Sequence, residues 1–271
     1  MNNSLITTRY SLKNNQTANK NIPLVFIHGW GLNSAVWEPT IQKLQQDVDI
    51  ITVDLPGFGL NIDHTLTDYS LENIAKEIQS AVGIPAIYVG WSLGGLVATQ
   101  LALSFPEKVL ACITVASSPR FLSQESDVLP WPGILPKVLT MFYQQLAQDT
   151  KKTLEGFLKI QAMGSPNIRQ DIKTIRNLVM QHPVPTEQTL NDSLQLLEKV
   201  DLRDDLSKLT LPFLRFYGRL DSLVPKAVIE QIDELLPHSD KHIFDKASHA
   251  PFISHGEEFN DVLLSWVQKH L

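Results

Sequence analysis

Three residues of this chain are of the types that together cleave acyl bonds. Ser92 stands in Gly90-Trp91-Ser92-Leu93-Gly94, Asp221 ends Gly218-Arg219-Leu220-Asp221, and His249 lies within Ala247-Ser248-His249-Ala250-Pro251-Phe252. A serine hydroxyl is a weak nucleophile. It needs a base to take its proton, a third group to orient that base, and N–H donors for the oxyanion that forms. In this reading Ser92 attacks an ester carbonyl, and His249 takes its proton and passes it to the departing alcohol. Asp221 fixes the imidazole tautomer and stabilises the imidazolium. Water then cleaves the acyl-enzyme through the same histidine.

Two backbone amides are the expected oxyanion donors. One is that of Leu93, directly after the nucleophile; the other is that of Trp30, in His28-Gly29-Trp30-Gly31. Losing one such donor typically costs about 10²–10³ in rate. Other candidate bases are set aside by position. His28 sits at the oxyanion loop and shapes it, His238 follows a helix end, and His255 is expected inside the last helix. Asp54, in Asp54-Leu55-Pro56-Gly57-Phe58-Gly59, is expected to form a tight turn that positions neighbouring loops. No metal-binding H-E-x-x-H or C-x-x-C occurs, and neither does a phosphate-cradling glycine motif. No metal and no cofactor are expected.

The elements that must position these residues are short apolar runs alternating with amphipathic stretches. Strands are expected at Leu24–Ile27, Ile50–Val53, Ala86–Val89, Leu110–Val115, Pro212–Tyr217 and Lys241–Phe244, with Leu5–Tyr10 as an early antiparallel strand. Helices are expected at Ser70–Ala81, Gly95–Phe105 and Lys226–Leu236. This alternation gives an α/β fold, a mostly parallel central sheet flanked by helices. Ser92 then lies on a sharp strand-to-helix turn, the nucleophile elbow of the α/β-hydrolase fold, in which nucleophile, acid and histidine follow in this chain order. Asp221 and His249 lie beyond other strand ends, at the same sheet edge.

The alternation breaks between about Pro119 and Leu194, where helices are expected at Ile134–Asp149, Lys151–Met163, Asn167–Gln181 and Pro185–Lys199. Residues 1–118 and 195–271 are therefore assigned to the core, and 119–194 to an inserted helical lid. The polar stretch Asn14–Asn21 is expected to be a surface turn.

The 271 residues suffice for one large core, and a net charge of −6 argues against general nucleic-acid affinity. The single cysteine, Cys112, lies in an apolar run and is expected to be a small buried core residue. The N-terminus shows no long apolar stretch and no signal-peptide pattern, so a soluble, cytoplasmic protein is expected. The lid departs from the acidic balance. Residues 137–176 carry seven basic side chains (Lys137, Lys151, Lys152, Lys159, Arg169, Lys173, Arg176) against three acidic ones. Arg169, Lys173 and Arg176 share one helix face, and Lys152 and Lys159 are seven apart on the preceding helix. These charges are either ordinary solvated faces or a docking patch for an acidic partner. Trp30, Leu93 and Phe157 are candidates to line a pocket for an aliphatic chain, against the plainer reading of core packing.

The stretches HGWGLNSAVW, VDLPGFG, GWSLGGLVA, FLKIQAMG, TVASSP, YGRLDSLVP and KASHAPFISH resemble the pimeloyl-acyl-carrier-protein methyl ester esterases of biotin synthesis. The resemblance runs from about Leu24 to the C-terminus. It implies cleavage of the methyl ester from a pimeloyl chain carried on acyl carrier protein, releasing methanol. It places the triad at Ser92, Asp221 and His249, and substrate contacts at Trp30, Ser92, Leu93, Phe157, Leu158, Lys159, Ile160, Gln161 and His249. Carrier contacts fall at Lys152, Gly156, Arg169 and Lys173; Gly156 carries no charge and lysine replaces arginine at two others, so carrier binding is expected to be weaker or shifted toward Lys159 and Arg176. The partner is then an acyl carrier protein, with no nucleic acid, no membrane and a monomeric enzyme.

Three other readings compete. A broad carboxylesterase would act on free short-chain esters, with the basic lid incidental. A carbon–carbon hydrolase can use the same triad. A non-catalytic binding module is opposed by an intact triad. Haloalkane and epoxide hydrolases of this fold use an aspartate where Ser92 stands.

Overall fold

The computed structural model describes residues 4–11, 22–125, 130–163, 165 and 167–270. The polar stretch Asn14–Asn21 lies outside them. Seven strands form one sheet in the order β1-β3-β2-β4-β5-β6-β7. They are β1 (Thr7–Tyr10), β2 (Leu24–Ile27), β3 (Ile50–Val53), β4 (Ala86–Trp91), β5 (Val109–Val115), β6 (Phe213–Gly218) and β7 (Asp240–Phe244). β1 pairs antiparallel with β3, and every other pair is parallel.

Side chains of a strand alternate between faces, and here both faces are covered. Val25, Ile27, Tyr88 and Cys112 join one apolar cluster; Leu24, Phe26, Ile87, Val89, Trp91 and Ile113 join the other. This is why the central strands read as continuous apolar runs. Cys112 is fully buried, and burial pushes its thiol well above the ordinary range. α1 (Glu38–Leu44) contributes to the second cluster, and α2 (Leu71–Val82) and α3 (Leu93–Ser104) to the first.

Between β5 and β6 come α4 (Pro136–Gln148), α5 (Thr150–Ala162), α6 (Ile168–Val179) and α7 (Glu187–Lys199). Two isolated bridges, Leu122 to Ile134 and Gln124 to Trp131, precede them. α7 continues to Lys199, past the boundary expected at 194. Asp149 caps α5 by accepting the Lys152 amide, and Thr186 caps α7 by accepting that of Thr189. Phe142, Phe157 and Leu190 enter the first apolar cluster, whereas Leu158, Ile175 and Val179 enter the second. The inserted helices therefore share both halves of the core. α8 (Lys226–Leu235), α9 (Pro251–Ser254) and α10 (Gly256–His270) complete the chain.

His255 differs from its expected place inside the last helix. Its backbone sits at φ −131°, ψ 42°, which breaks the run into α9 and α10, and its ring hydrogen-bonds Ser254 Oγ at 2.8 Å.

Candidate active site

Four parallel strands deliver the candidate residues to one edge of the sheet. β2 ends before His28–Trp30, β4 before Ser92, β6 before Asp221 and β7 before His249. Ligand sites of open parallel sheets form at this carboxyl edge.

Ser92 has φ 56° and ψ −117°, a region L-residues rarely occupy. The strain, about 1–3 kcal/mol for such a residue, is held from several sides. The Ser92 amide donates to Val115 O at 2.9 Å. Its carbonyl accepts from the Gly95 amide at 2.9 Å and from Ser117 Oγ at 2.8 Å. Strand and helix pass too closely here for side chains. A Cβ on Gly90 would overlap the Gly94 carbonyl, and one on Gly94 would lie 2.5 Å from Ile27 O.

Asp221 Oδ1 accepts the amides of Leu223 at 2.8 Å and Val224 at 3.1 Å. Its other oxygen takes the Nδ1–H of His249 at 2.8 Å. A carboxylate oxygen only accepts, so Nδ1 carries the hydrogen and Nε2 presents its lone pair. Both side chains are buried, and among the described residues nothing hydrogen-bonds His249 Nε2. The His249 main chain is held twice. Its carbonyl accepts the indole N–H of Trp91 at 2.7 Å, and its amide donates to Gln161 O at 3.1 Å. The residue before Ser92 thus grips the residue that carries the imidazole.

The Leu93 amide opens α3 and that of Trp30 follows β2, and neither has a backbone acceptor among the described residues. The Trp30 indole points into the inserted helices. It donates to Leu190 O at 3.0 Å and meets Phe157 edge-on, with centroids 4.9 Å apart. His28 is fully buried; its Nε2 accepts the Leu55 amide at 3.0 Å, so its Nδ1–H goes to Gly29 O at 2.8 Å. Burial lowers its pKa and keeps it neutral, in spite of Asp54 nearby. Asp54 accepts the Ser34 and Leu60 amides and so ties two loops.

The helical segment covers the site, leaving Ser92 only 3% exposed. Phe157, Leu158 and Gln161 face inward and are buried, and Ile160 is half-buried. Gln161 is fully buried with both amide atoms unpartnered. Lys159 is exposed; it lines an outer groove of about 420 Å³ together with Lys152 and Gly156. Lys152, Arg169 and Lys173 are also exposed. Arg176, exposed as well, is engaged with Glu155 at 3.3 Å. A narrow apolar slot lies beside the loop that follows β2, between Gly31–Asn33, Leu154 and Leu158 of α5, and Val179–Met180. Sequence reasoning missed the supports: Trp91, Ser117, Ser248 and the Asn33 amide that donates to Val179 O at 2.9 Å. Trp91 and Ser248 carried a local signal, their places beside the nucleophile and the base; Ser117 and Asn33 carried none.

No group of three or more potential metal ligands occurs among the described residues, and no helix among them is long and apolar enough to cross a membrane. Residues 22–256 match the family model for the alpha/beta hydrolase fold. The chain is 46% identical over 255 residues to a pimeloyl-[acyl-carrier protein] methyl ester esterase from Aliivibrio fischeri, covering 94% of this chain and 97% of that one. It is 50% identical over 244 residues to the enzyme of the same name from Aeromonas salmonicida, covering 90% and 94%. Among solved structures, an esterase from Exiguobacterium antarcticum superposes with a TM-score of 0.83 at 24% identity, covering 97% of this chain and 95% of that one.

Proposed function

As the chain belongs to the pimeloyl-[acyl-carrier protein] methyl ester esterase family, within the alpha/beta hydrolase fold, we propose that it hydrolyses the methyl ester of a pimeloyl chain held on acyl carrier protein, in biotin synthesis. The observation that carries the chemistry is the buried Asp221–His249 pair, 2.8 Å apart, tied through Trp91 to a strained elbow serine.

Ser92 Oγ rotates about χ1 to hydrogen-bond Nε2 as the substrate enters; such bonds are commonly loose in the empty enzyme. Oγ attacks the ester carbonyl carbon while Nε2 accepts its proton. The oxyanion is received by the Trp30 and Leu93 N–H groups. Collapse breaks the bond to the methoxy oxygen, and the imidazolium returns the proton to it, so methanol leaves. Water, deprotonated by Nε2, then attacks the acyl-enzyme carbonyl; collapse breaks the bond to Ser92 Oγ, which takes the proton back from the imidazolium, and the free carboxylate leaves. Asp221, held by two amides, keeps the proton on Nδ1 throughout.

Residues 119–194, with the remainder of α7, act as the lid. Trp30, Leu93, Phe157, Leu158, Ile160 and Gln161 line the acyl site, and the slot beside Gly31, which shares Leu158 with it, is the way in for the carrier-bound pimeloyl chain. Lys152, Lys159, Arg169 and Lys173 form the docking face for the acidic carrier. Exposed, and with no acidic partner among the described residues, they are free to meet one. Arg176 contributes less, because Glu155 already neutralises it.

The test is methanol release from purified carrier protein bearing pimeloyl methyl ester, beside a free short-chain ester. The native enzyme should favour the carrier-bound substrate in kcat/KM, and Ser92→Ala should abolish turnover of both. Equal or higher kcat/KM on the free ester would favour a broad carboxylesterase. Full activity of Ser92→Ala would overturn the mechanism.

A further inference from the structure

We propose that Ser248 is a positioning residue for the reaction: its hydroxyl, beside the His249 amide, fastens the histidine loop to the C-terminal end of α5 and so sets where the imidazole stands. This rests on the reading of His249 as the base. Ser248 is buried, 2% exposed, and its Oγ donates to Met163 O at 2.7 Å. The next residue, His249, donates its amide to Gln161 O at 3.1 Å. α5 ends at Ala162, with Met163 already extended at φ −62°, ψ 125°. The last carbonyls of a helix have no partner within it; here that of Gln161, in the last turn, and that of Met163, just past the end, are taken by adjacent residues of the histidine loop.

Two attachment points fix an orientation where one would leave a pivot. The loop is gripped from the sheet side as well, through the Trp91 indole and the His249 carbonyl. With Asp221 aligning the ring, the imidazole has little freedom except movement of the loop itself. Removing the Ser248 hydroxyl leaves α5 joined to this loop by one bond, at the residue that must meet Ser92. A misplacement of a fraction of an ångström at a base weakens turnover more than it weakens substrate binding. Because α5 also carries Lys152 and Lys159, the same fastening joins the outer basic groove to the base.

The experiment compares Ser248→Ala and Ser248→Thr with the parent on a small ester, with rates expressed per active site by titration. Ser248→Ala should lower kcat about three- to tenfold, the scale of one lost hydrogen bond. KM should stay within about twofold, and Thr, which keeps the hydroxyl, should restore most of the rate. The rate at which a fluorophosphonate labels Ser92 should fall by the same factor as kcat. Unchanged kcat in the Ala variant overturns the proposal, as does failure of Thr to recover activity or a loss confined to KM. Ser92→Ala separates the two levels: if it remains active, the reading of the site fails; if it is dead while Ser248→Ala is fully active, only the positioning role fails.

Discussion

At the residue scale, the chain contains two differently used buried histidines. His249 faces Asp221 with one nitrogen and keeps the other free of protein partners. His28 spends both nitrogens on backbone groups and is held neutral chiefly by burial. Its folded pKa lies below the ordinary 6.5. The contribution of His28 to stability is therefore complete above that value. It declines as the pH falls, because the unfolded chain takes up a proton that the native ring refuses. Thermal unfolding of the parent between pH 7.5 and 5.5 should show this decline. In His28→Gln it should be shallower, on a less stable protein at pH 7.5. An identical pH slope in both would show that His28 does not carry the effect. The type of each histidine's neighbours was visible in the sequence. Its tautomer was not, because Leu55 and Asp221 reach the two rings only through the fold.

At the scale of elements, α5 and α6 carry the question of partner choice. Their helical period was legible, and the four inserted helices begin and end within two residues of their expected bounds, since amphipathic spacing is a local property. The charge arrangement on them was only partly legible. Arg169, Lys173 and Arg176 share a face by spacing, but Arg176 turns to Glu155 on the neighbouring helix. That pairing depends on how α5 packs on α6, and no pattern within either helix announces it. Reversing Arg169 and Lys173 to Glu should raise KM for the carrier-bound ester severalfold and leave a p-nitrophenyl ester within about twofold. Added salt should reproduce the first effect in the parent. Equal losses on both substrates would point to a folding defect and remove the docking role.

At the scale of the whole molecule, ion pairs brace one side of the sheet and tie together the two ends of the insertion. Arg215 on β6 is buried and pairs with Asp233 of α8 at 2.6 Å, and Lys241 of β7 reaches the same carboxylate. Arg120 grips Asp201, joining the chain before the inserted helices to the chain after them, and Arg203, two residues on, shares that carboxylate. Burial alone would raise the pKa of each aspartate, but hydrogen bonds from Arg215 and Lys241, and from Arg203, hold both below the ordinary 3.8. Stability from these pairs is present above about pH 3.8 and is lost as the pH falls through the lower folded values. Urea unfolding of Asp233→Asn should show lower stability than the parent at pH 7, with the difference narrowing below pH 4. A difference that stays constant down to pH 2 would assign the loss to packing instead.

The sequence by itself determined the sheet, its flanking helices and the edge where Ser92, Asp221 and His249 gather. Strand and helix periods are written over a few neighbouring residues, and parallel strands must send their following loops to one side. Only the tertiary structure decided what holds that edge in place. The Trp91 indole meets the His249 carbonyl across 158 positions of chain, and the end of α5 meets the histidine loop across 85. Such contacts depend on how whole elements pack, and no short window of residues encodes that packing.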